Sequence, residues 1–515
     1  MAQLRVGLTI SGAISLGAYE GGALAALLVA VQEANREERE AVRVDAIAGA
    51  SAGSITGVLA ARTLLEGLDP VDVMWRSWVK APDLKRLRAK GRQAPLSVEA
   101  IRAQATELLS GEGDPAVAQP AEVRLHMALA ALRGLNYEIG RIGGPPLWAT
   151  TYLDWGERTL RRGDPVEAYT EPPNASRVDI AMASGAHAAA FAAKGLDRSG
   201  DREAYLENHV TNFPAGGWLW YTDGGTLDNE PLGRALDVTR HLDGDGAGAR
   251  RLHLLVSPDP EQPVTGEDRW SDRAVAPPWT STLARTLEVL KAQSLYEDLA
   301  RVEKTNSRLH WVAQLERTLL QLISERHEDP EGALQEVVDS IGRQKRDLGE
   351  DEDVRVSLDP LPATGLAQRL SEALAQATGL AGKQEVAVDI ISPRLLPEVA
   401  GGQAEIADLL AGEILGHFGG FLDERYRSND FALGYRSTLE WLAAPDRGLV
   451  HQGVDPSLAR VAIDGARARY EPRWETGTGK VTFGSLPIWQ KLALLRVAAK
   501  TASVILRDRR RAWAS

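Results

Sequence analysis

Twice near the start of the chain, a short run of branched apolar residues ends in a glycine-bearing turn and continues as a helix-patterned stretch. Leu4–Ile10 passes through Ser11–Gly17 into Ala18–Gln32, and Val42–Ala48 passes through Gly49–Gly53 into Ile55–Leu65. Strand, tight turn and helix in succession make half of a βαβ unit, and the repeat implies a parallel sheet covered by helices. The expected fold class is therefore α/β, a three-layer α/β/α sandwich with a mostly parallel central sheet. Ligands in such folds sit outside the carboxyl ends of the strands, so both turns should face one crevice.

Further strands are expected at Leu147–Leu153, Trp218–Thr222, Leu252–Ser257 and Val386–Ile391, with small residues of helical propensity over Ile180–Ala193. The polar, Ala-rich stretch 84–145 reads as a helical insertion, and leucines at helical spacing over Thr282–Glu325 read as long amphipathic helices. The acidic run Glu350–Asp353 reads as a solvated loop. The expected division is a catalytic domain over 1–265, a helical region over 266–380, and an extension over 381–515 with one or two strands plus helices.

The length of 515 residues suggests about three units. A net charge of −12 argues against nucleic acid as a partner. With no cysteine in the chain, thiolate metal sites and cysteine nucleophiles are excluded, and neither a paired-histidine helix motif nor a calcium loop is present. No metal or cofactor is expected. The apolar opening is broken by Gly12, Gly17 and Glu20, which fits a strand, turn and helix better than a signal peptide. No run reaches the ~18 uninterrupted apolar residues of a membrane span, so the expected location is the cytoplasm.

Three motifs carry chemistry. Gly49-Ala50-Ser51-Ala52-Gly53 fits G-x-S-x-G, in which a strand-to-helix turn lifts the serine hydroxyl clear of the sheet. Ser11–Gly17 lies at the end of the first strand but lacks the Lys and Ser or Thr of a phosphate loop, so an oxyanion loop fits it better. Asp223-Gly224-Gly225 follows an apolar run, and its glycines let an aspartate at a strand end approach another loop closely.

In this order and context, the three motifs resemble the patatin-like phospholipase family, over roughly residues 4–257. Ala183-Ser184-Gly185-Ala186, running on to Phe191, is similar to the small-residue helix that family places between its serine and aspartate. Phe418–Leu422, with Asp430, Gly434 and Arg436, is similar to an extension found in bacterial patatin-related proteins. The resemblance implies a serine acyl hydrolase of the lipase or phospholipase type, with a Ser51–Asp223 dyad and a lipid or acyl ester as substrate. It also implies an oxyanion hole built from backbone N–H groups of Gly12, Ala13, Ile14 and Ala52, typically worth ~3 kcal/mol per donor. The loop departs from the family pattern, because Ala13, Ile14 and Leu16 stand where the family has two glycines and a basic residue.

An aspartate acting as base near neutrality needs a desolvated setting, which Trp218, Trp220 and Tyr221 are expected to help provide. Two alternatives stand beside this reading. One is a Ser-His-Asp esterase using His187, His209, His241 or His253, and the other is a non-catalytic lipid-binding or scaffolding protein on the same fold. Peripheral membrane contact has two candidate places. One is Lys85–Arg92. The other is the C-terminal helix, where Ile488, Leu492, Leu495, Ala499, Ala502 and Leu506 share a face ahead of Arg507, Arg509, Arg510 and Arg511. The sequence leaves the oligomeric state open.

Overall fold

The computed structural model describes residues 4–88, 94–139, 147–171, 175–243, 250–258, 279–326 and 385–512, with isolated positions between 332 and 378. Its strands, in chain order, are β1 (Leu4–Ile10), β2 (Val42–Gly49), β3 (Glu122–Ile139), β4 (Leu147–Arg161), β5 (Lys194–Asp197), β6 (Trp218–Asp223), β7 (Arg250–Val256) and β8 (Ala387–Ile391). The helices that matter here are α1 (Gly17–Glu37), α2 (Ala52–Glu66), α3 (Arg177–Ser184), α4 (Leu232–Asp243), α5 (Trp279–Arg326), α6 (Glu424–Ala443) and α7 (Ile488–Ala512). The chain divides into two compact units, Met1–Leu295 with Val388–Ser515, and Tyr296–Ala387.

The sheet order is β5-β6-β3-β2-β1-β7-β8, with β4 paired to β3 off this path. β1 runs parallel to β2 and β7, and β2 runs parallel to β3. β4 and β6 are antiparallel to β3, and β5 is antiparallel to β6. Successive residues of a strand face opposite sides of the sheet. On β1, Ile10 meets α2 at Gly57, whereas Gly7 meets Thr239 of α4, so these helices lie on opposite faces. Three layers result, as the βαβ pattern implies.

β3 corrects the helical reading of 84–145. Only Leu84–Leu87 and Glu99–Leu109 are helical in the described part of that stretch. Val123, Leu125, Met127 and Leu129 alternate with Arg124, His126, Ala128 and Ala130, and this period of two is satisfied by strands on both edges. Pairing with neighbours overrides the helical preference of the alanines. The 180–193 helix is also shorter than expected: α3 closes at Gly185, and turns follow. The Thr282–Glu325 stretch forms the single helix α5. Glu350–Asp353 lies outside the described residues.

α1 has the length and apolar character of a membrane span, but 94% of its most apolar window is buried inside the protein, as in a core helix. α6 covers part of it at backbone distance. A Cβ on Gly22 would lie 1.9 Å from the Phe431 carbonyl oxygen, and one on Gly434 would lie 1.9 Å from that of Tyr19. Two glycines facing two backbones let the helices approach more closely than ordinary side-chain packing allows. The segment expected as a separate extension over 381–515 therefore belongs, from Val388 onward, to the unit that holds β1 and β2.

Candidate functional site

One edge of β3 is shared by two strands that approach from opposite directions. β2 rises along it and ends with Gly49 opposite Met127, while β6 descends along it and ends with Asp223 opposite Leu129. Only Ala128 separates the two strand ends. The turns that leave β2 and β6 consequently face each other, and this brings Ser51 and Asp223 together across 172 positions of sequence.

The Ser51 hydroxyl donates a hydrogen bond to Asp223 Oδ2 at 2.6 Å. Both residues are nearly closed to solvent, at 5% and 2% exposure. Asp223 Oδ1 accepts the Gly225 N–H at 2.8 Å, which fixes the carboxylate plane. Ser51 stands at φ 50°, ψ −119°, a left-handed value that a serine holds only when its surroundings enforce it. Its own N–H is bonded to Ser184 Oγ at 2.9 Å, and Ser184 in turn donates to the Ala128 carbonyl at 2.6 Å. The small-residue helix α3 thus braces the serine turn. The sequence places Ser184 between the motifs but carries no signal of this bond.

Glycine is required around the turn because backbone occupies the space a side chain would fill. A Cβ at Gly53 would lie 2.3 Å from the Ile10 carbonyl, one at Gly49 would lie 2.5 Å from that of Gly53, and one at Gly224 would lie 1.9 Å from that of Ala128. At Gly12 a Cβ would meet Asn229 Oδ1 at 2.5 Å and Ser51 Cβ at 3.0 Å, so the Ser11–Gly17 loop passes directly beside the serine. Gly17 opens α1 against the Trp78 ring.

The expected oxyanion donors divide into two groups. The Gly12 N–H is bonded to the Asn229 carbonyl at 2.9 Å, which ties the loop to the turn after Asp223. Among the described residues, the Ala13, Ile14 and Ala52 N–H groups have no backbone acceptor. Ala52 is the first residue of α2, so its N–H lies at the positive end of a helix dipole beside Ser51. Ile14 takes φ 51°, the left-handed value that glycine would adopt without cost.

The aromatic residues of β6 divide by strand alternation. Trp218 and Trp220 are exposed, at 42% and 51%, and face away from Asp223, which corrects their expected part in shielding it. Tyr221 is buried on the Asp223 face. Its hydroxyl and that of Tyr205 each donate to Asp154 Oδ2 at 2.6 Å, and the buried Arg198 joins them, holding β6 in place two residues before Asp223. Neither Asp154 nor Arg198 lies in a motif that the sequence displays.

No hydrogen bond joins a histidine to Ser51 among the described residues. His253 lies level with Gly7 on β7 and pairs with Thr239 Oγ1 at 2.8 Å. His241 bonds the Asp237 carbonyl at 2.7 Å on the exposed side of α4. His209 lies in the turn after Leu206 at φ 61°. His187 follows α3, with its ring 5.6 Å from that of Phe418. Among the described residues, no group of three or more His, Asp or Glu side chains is placed to hold a metal ion.

An α/β/α fold that carries a serine on a strained strand-to-helix turn, faced by a strand-end aspartate and flanked by unspent backbone N–H groups, defines a candidate serine hydrolase. The family model described as "Patatin-like phospholipase" matches residues 8–236, so this part of the chain carries a domain of that family. No curated protein matches the chain. Among solved structures, VipD from Legionella pneumophila aligns over 95% of this chain and 94% of its own at 11% identity. The TM-score of that alignment is 0.18.

Beneath the site, Glu20 of α1 is fully buried and accepts a hydrogen bond from the Ser11 hydroxyl at 3.0 Å. Burial holds its carboxyl well above the ordinary carboxylate range. The Ser11 bond opposes that shift and the neighbouring Glu230 charge adds to it. A carboxyl raised in the folded state stabilises the fold fully below its unfolded value of about 4.3, and that contribution is lost as pH rises toward the folded value. Glu20→Gln keeps the shape and removes the titration. The difference in thermal midpoint, variant minus wild type, should therefore grow from pH 5 to pH 8; a difference independent of pH would count against a neutral Glu20.

Proposed function

We propose that the protein is a serine lipid acyl hydrolase that cleaves carboxyl esters through a Ser51–Asp223 dyad. The observation that carries this reading is the 2.6 Å bond from the Ser51 hydroxyl to Asp223 Oδ2. Ser51 Oγ attacks the ester carbonyl while its proton passes to Asp223. The tetrahedral oxyanion is held by N–H groups of Ala13, Ile14 and Ala52, with the α2 dipole adding to the field. Collapse of the intermediate expels the alcohol, which takes the proton from Asp223 and leaves the acyl group on Ser51. Water, losing a proton to Asp223, then attacks the acyl carbon, and as the acid leaves the C–Oγ bond breaks and Asp223 returns the proton to Ser51 Oγ. With Asp223 already bonded to the serine oxygen, no histidine is needed.

In a hydrolysis assay on a short acyl ester, Ser51→Ala should lower kcat by at least about 10⁴-fold, and Asp223→Asn by roughly 10³- to 10⁴-fold. Alanine at His187, His209, His241 or His253 should leave most activity in place. Full loss at one of these histidines, with Asp223→Asn tolerated, would replace the dyad with a Ser-His-Asp triad. Hydrolysis retained by clean Ser51→Ala protein would rule out both.

The substrate class brings with it a lipid surface, and α7 is suited to meet one. Ile488, Trp489, Leu492 and Leu495 are exposed at 77%, 51%, 49% and 63%, so this apolar face is not covered by the rest of its unit. Four arginines follow in the sequence at 507 and 509–511. An uncovered apolar face next to a basic end is the pattern of an interfacial helix. The rival segment Lys85–Arg92 has Lys85, Arg86 and Arg88 exposed and Leu87 buried, and residues 89–92 lie outside the described residues. Sedimentation with anionic liposomes should fall sharply when residues 486–515 are removed; undiminished binding would exclude α7 as the contact.

A further inference from the structure

Ile14 carries one of the proposed oxyanion donors in a backbone conformation that a β-branched residue avoids. Such a residue persists only where neighbouring structure over-determines it. The next residue, Ser15, is buried at 1% exposure and is gripped from a distant part of the chain. Its hydroxyl accepts the Gly420 N–H at 3.0 Å and donates to the His417 carbonyl. A Cβ on Gly420 would lie 2.8 Å from Ser15 Oγ, and one on Gly412 would lie 2.9 Å from the Leu16 side chain. The ribbon of residues 411–420 and the loop therefore touch at Gly412 and Gly420 with no room for a side chain between them.

The ribbon is itself held by α6. Asp430, with no exposed surface, accepts the N–H groups of Ala411 and Gly412, each at 2.8 Å. Arg427, 1% exposed, donates to the Gly420 carbonyl at 2.7 Å and to that of Val79 at 2.8 Å. A line of buried hydrogen bonds thus runs from Arg427 of α6, through Gly420, to Ser15 beside Ile14.

We propose that residues 411–420 form a clasp that positions the oxyanion loop, with Ser15 as the positioning residue through which it acts. The clasp takes over the work of the loop's missing glycines: it holds Ile14 in the left-handed conformation that glycine would reach unaided. This rests on the acyl-hydrolase reading above. Ser15 touches neither substrate nor Ser51 in this scheme, so its effect is on the presentation of N–H groups to the developing charge.

The test is steady-state hydrolysis of a short-chain aryl ester by full-length wild type, Ser15→Ala, Gly420→Ala and the double variant Ser15→Ala/Ile14→Gly. Ser15→Ala should lower kcat roughly ten- to a hundred-fold, as the loss of an oxyanion donor does, with KM little changed. Adding Ile14→Gly should recover at least about tenfold of that loss, because glycine takes positive φ without the clasp. A role limited to packing gives no such recovery, since deleting a large apolar side chain only loosens the loop further. Wild-type kcat in Ser15→Ala, or a loss that Ile14→Gly does not relieve, overturns the clasp. Should Ser15→Ala not fold, Gly420→Ala disturbs the same contact from the ribbon side, and wild-type kcat there overturns it equally. Absence of hydrolysis in the wild type overturns the hydrolase reading and the clasp together, whereas an active wild type with an indifferent Ser15→Ala overturns the clasp alone.

Discussion

The site depends on the way β3 shares one edge between β2 and β6. Parallel pairing brings β2 up to Met127, antiparallel pairing brings β6 down to Leu129, and the two chain reversals meet across Ala128. A serine on one reversal and an aspartate on the other come within hydrogen-bond distance with little choice of geometry. The same convergence removes the space for side chains, which is why Gly12, Gly49, Gly53 and Gly224 each face a backbone or side-chain atom where a Cβ would go. It also excludes water, and a low local dielectric strengthens every dipole aimed at a developing charge.

Much of this was legible in the sequence, for a physical reason. Glycine at a strand-to-helix turn and glycine after a strand-end aspartate are demanded by close backbone approach, so Gly49–Gly53 and Asp223–Gly225 mark the site without a structure. β1 and β2 were legible because Leu4–Ile10 and Val42–Ala48 are rich in branched apolar residues and each runs into a glycine-bearing turn ahead of a helix-patterned stretch. β3 was not, because Ala128, Ala130 and Ala131 favour helix locally, and only the edges supplied by β2, β4 and β6 make the stretch a strand. With that stretch read as helix, nothing in the sequence says why Ser51 meets Asp223.

Contacts far apart in sequence were the other blind spot. The Gly12 N–H goes to Asn229, Ser51 leans on Ser184, and Ser15 bonds Gly420 across 405 positions. No local pattern announces such pairs. The same holds for the C-terminal part of the chain: Gly22 and Gly434 make sense only once α1 and α6 are seen crossing at backbone distance. The segment that the resemblance implies is an extension is, from Val388 onward, part of the unit that holds the strands of the site.

The central claim is that Ser51 is a nucleophile poised by Asp223, and covalent trapping reaches it most directly. Wild-type protein treated with a fluorophosphonate is analysed by intact mass and then by peptide mapping. The account predicts one phosphonyl adduct per chain, located on Ser51 and absent from Ser51→Ala. No adduct, or an adduct on any other residue, would contradict it.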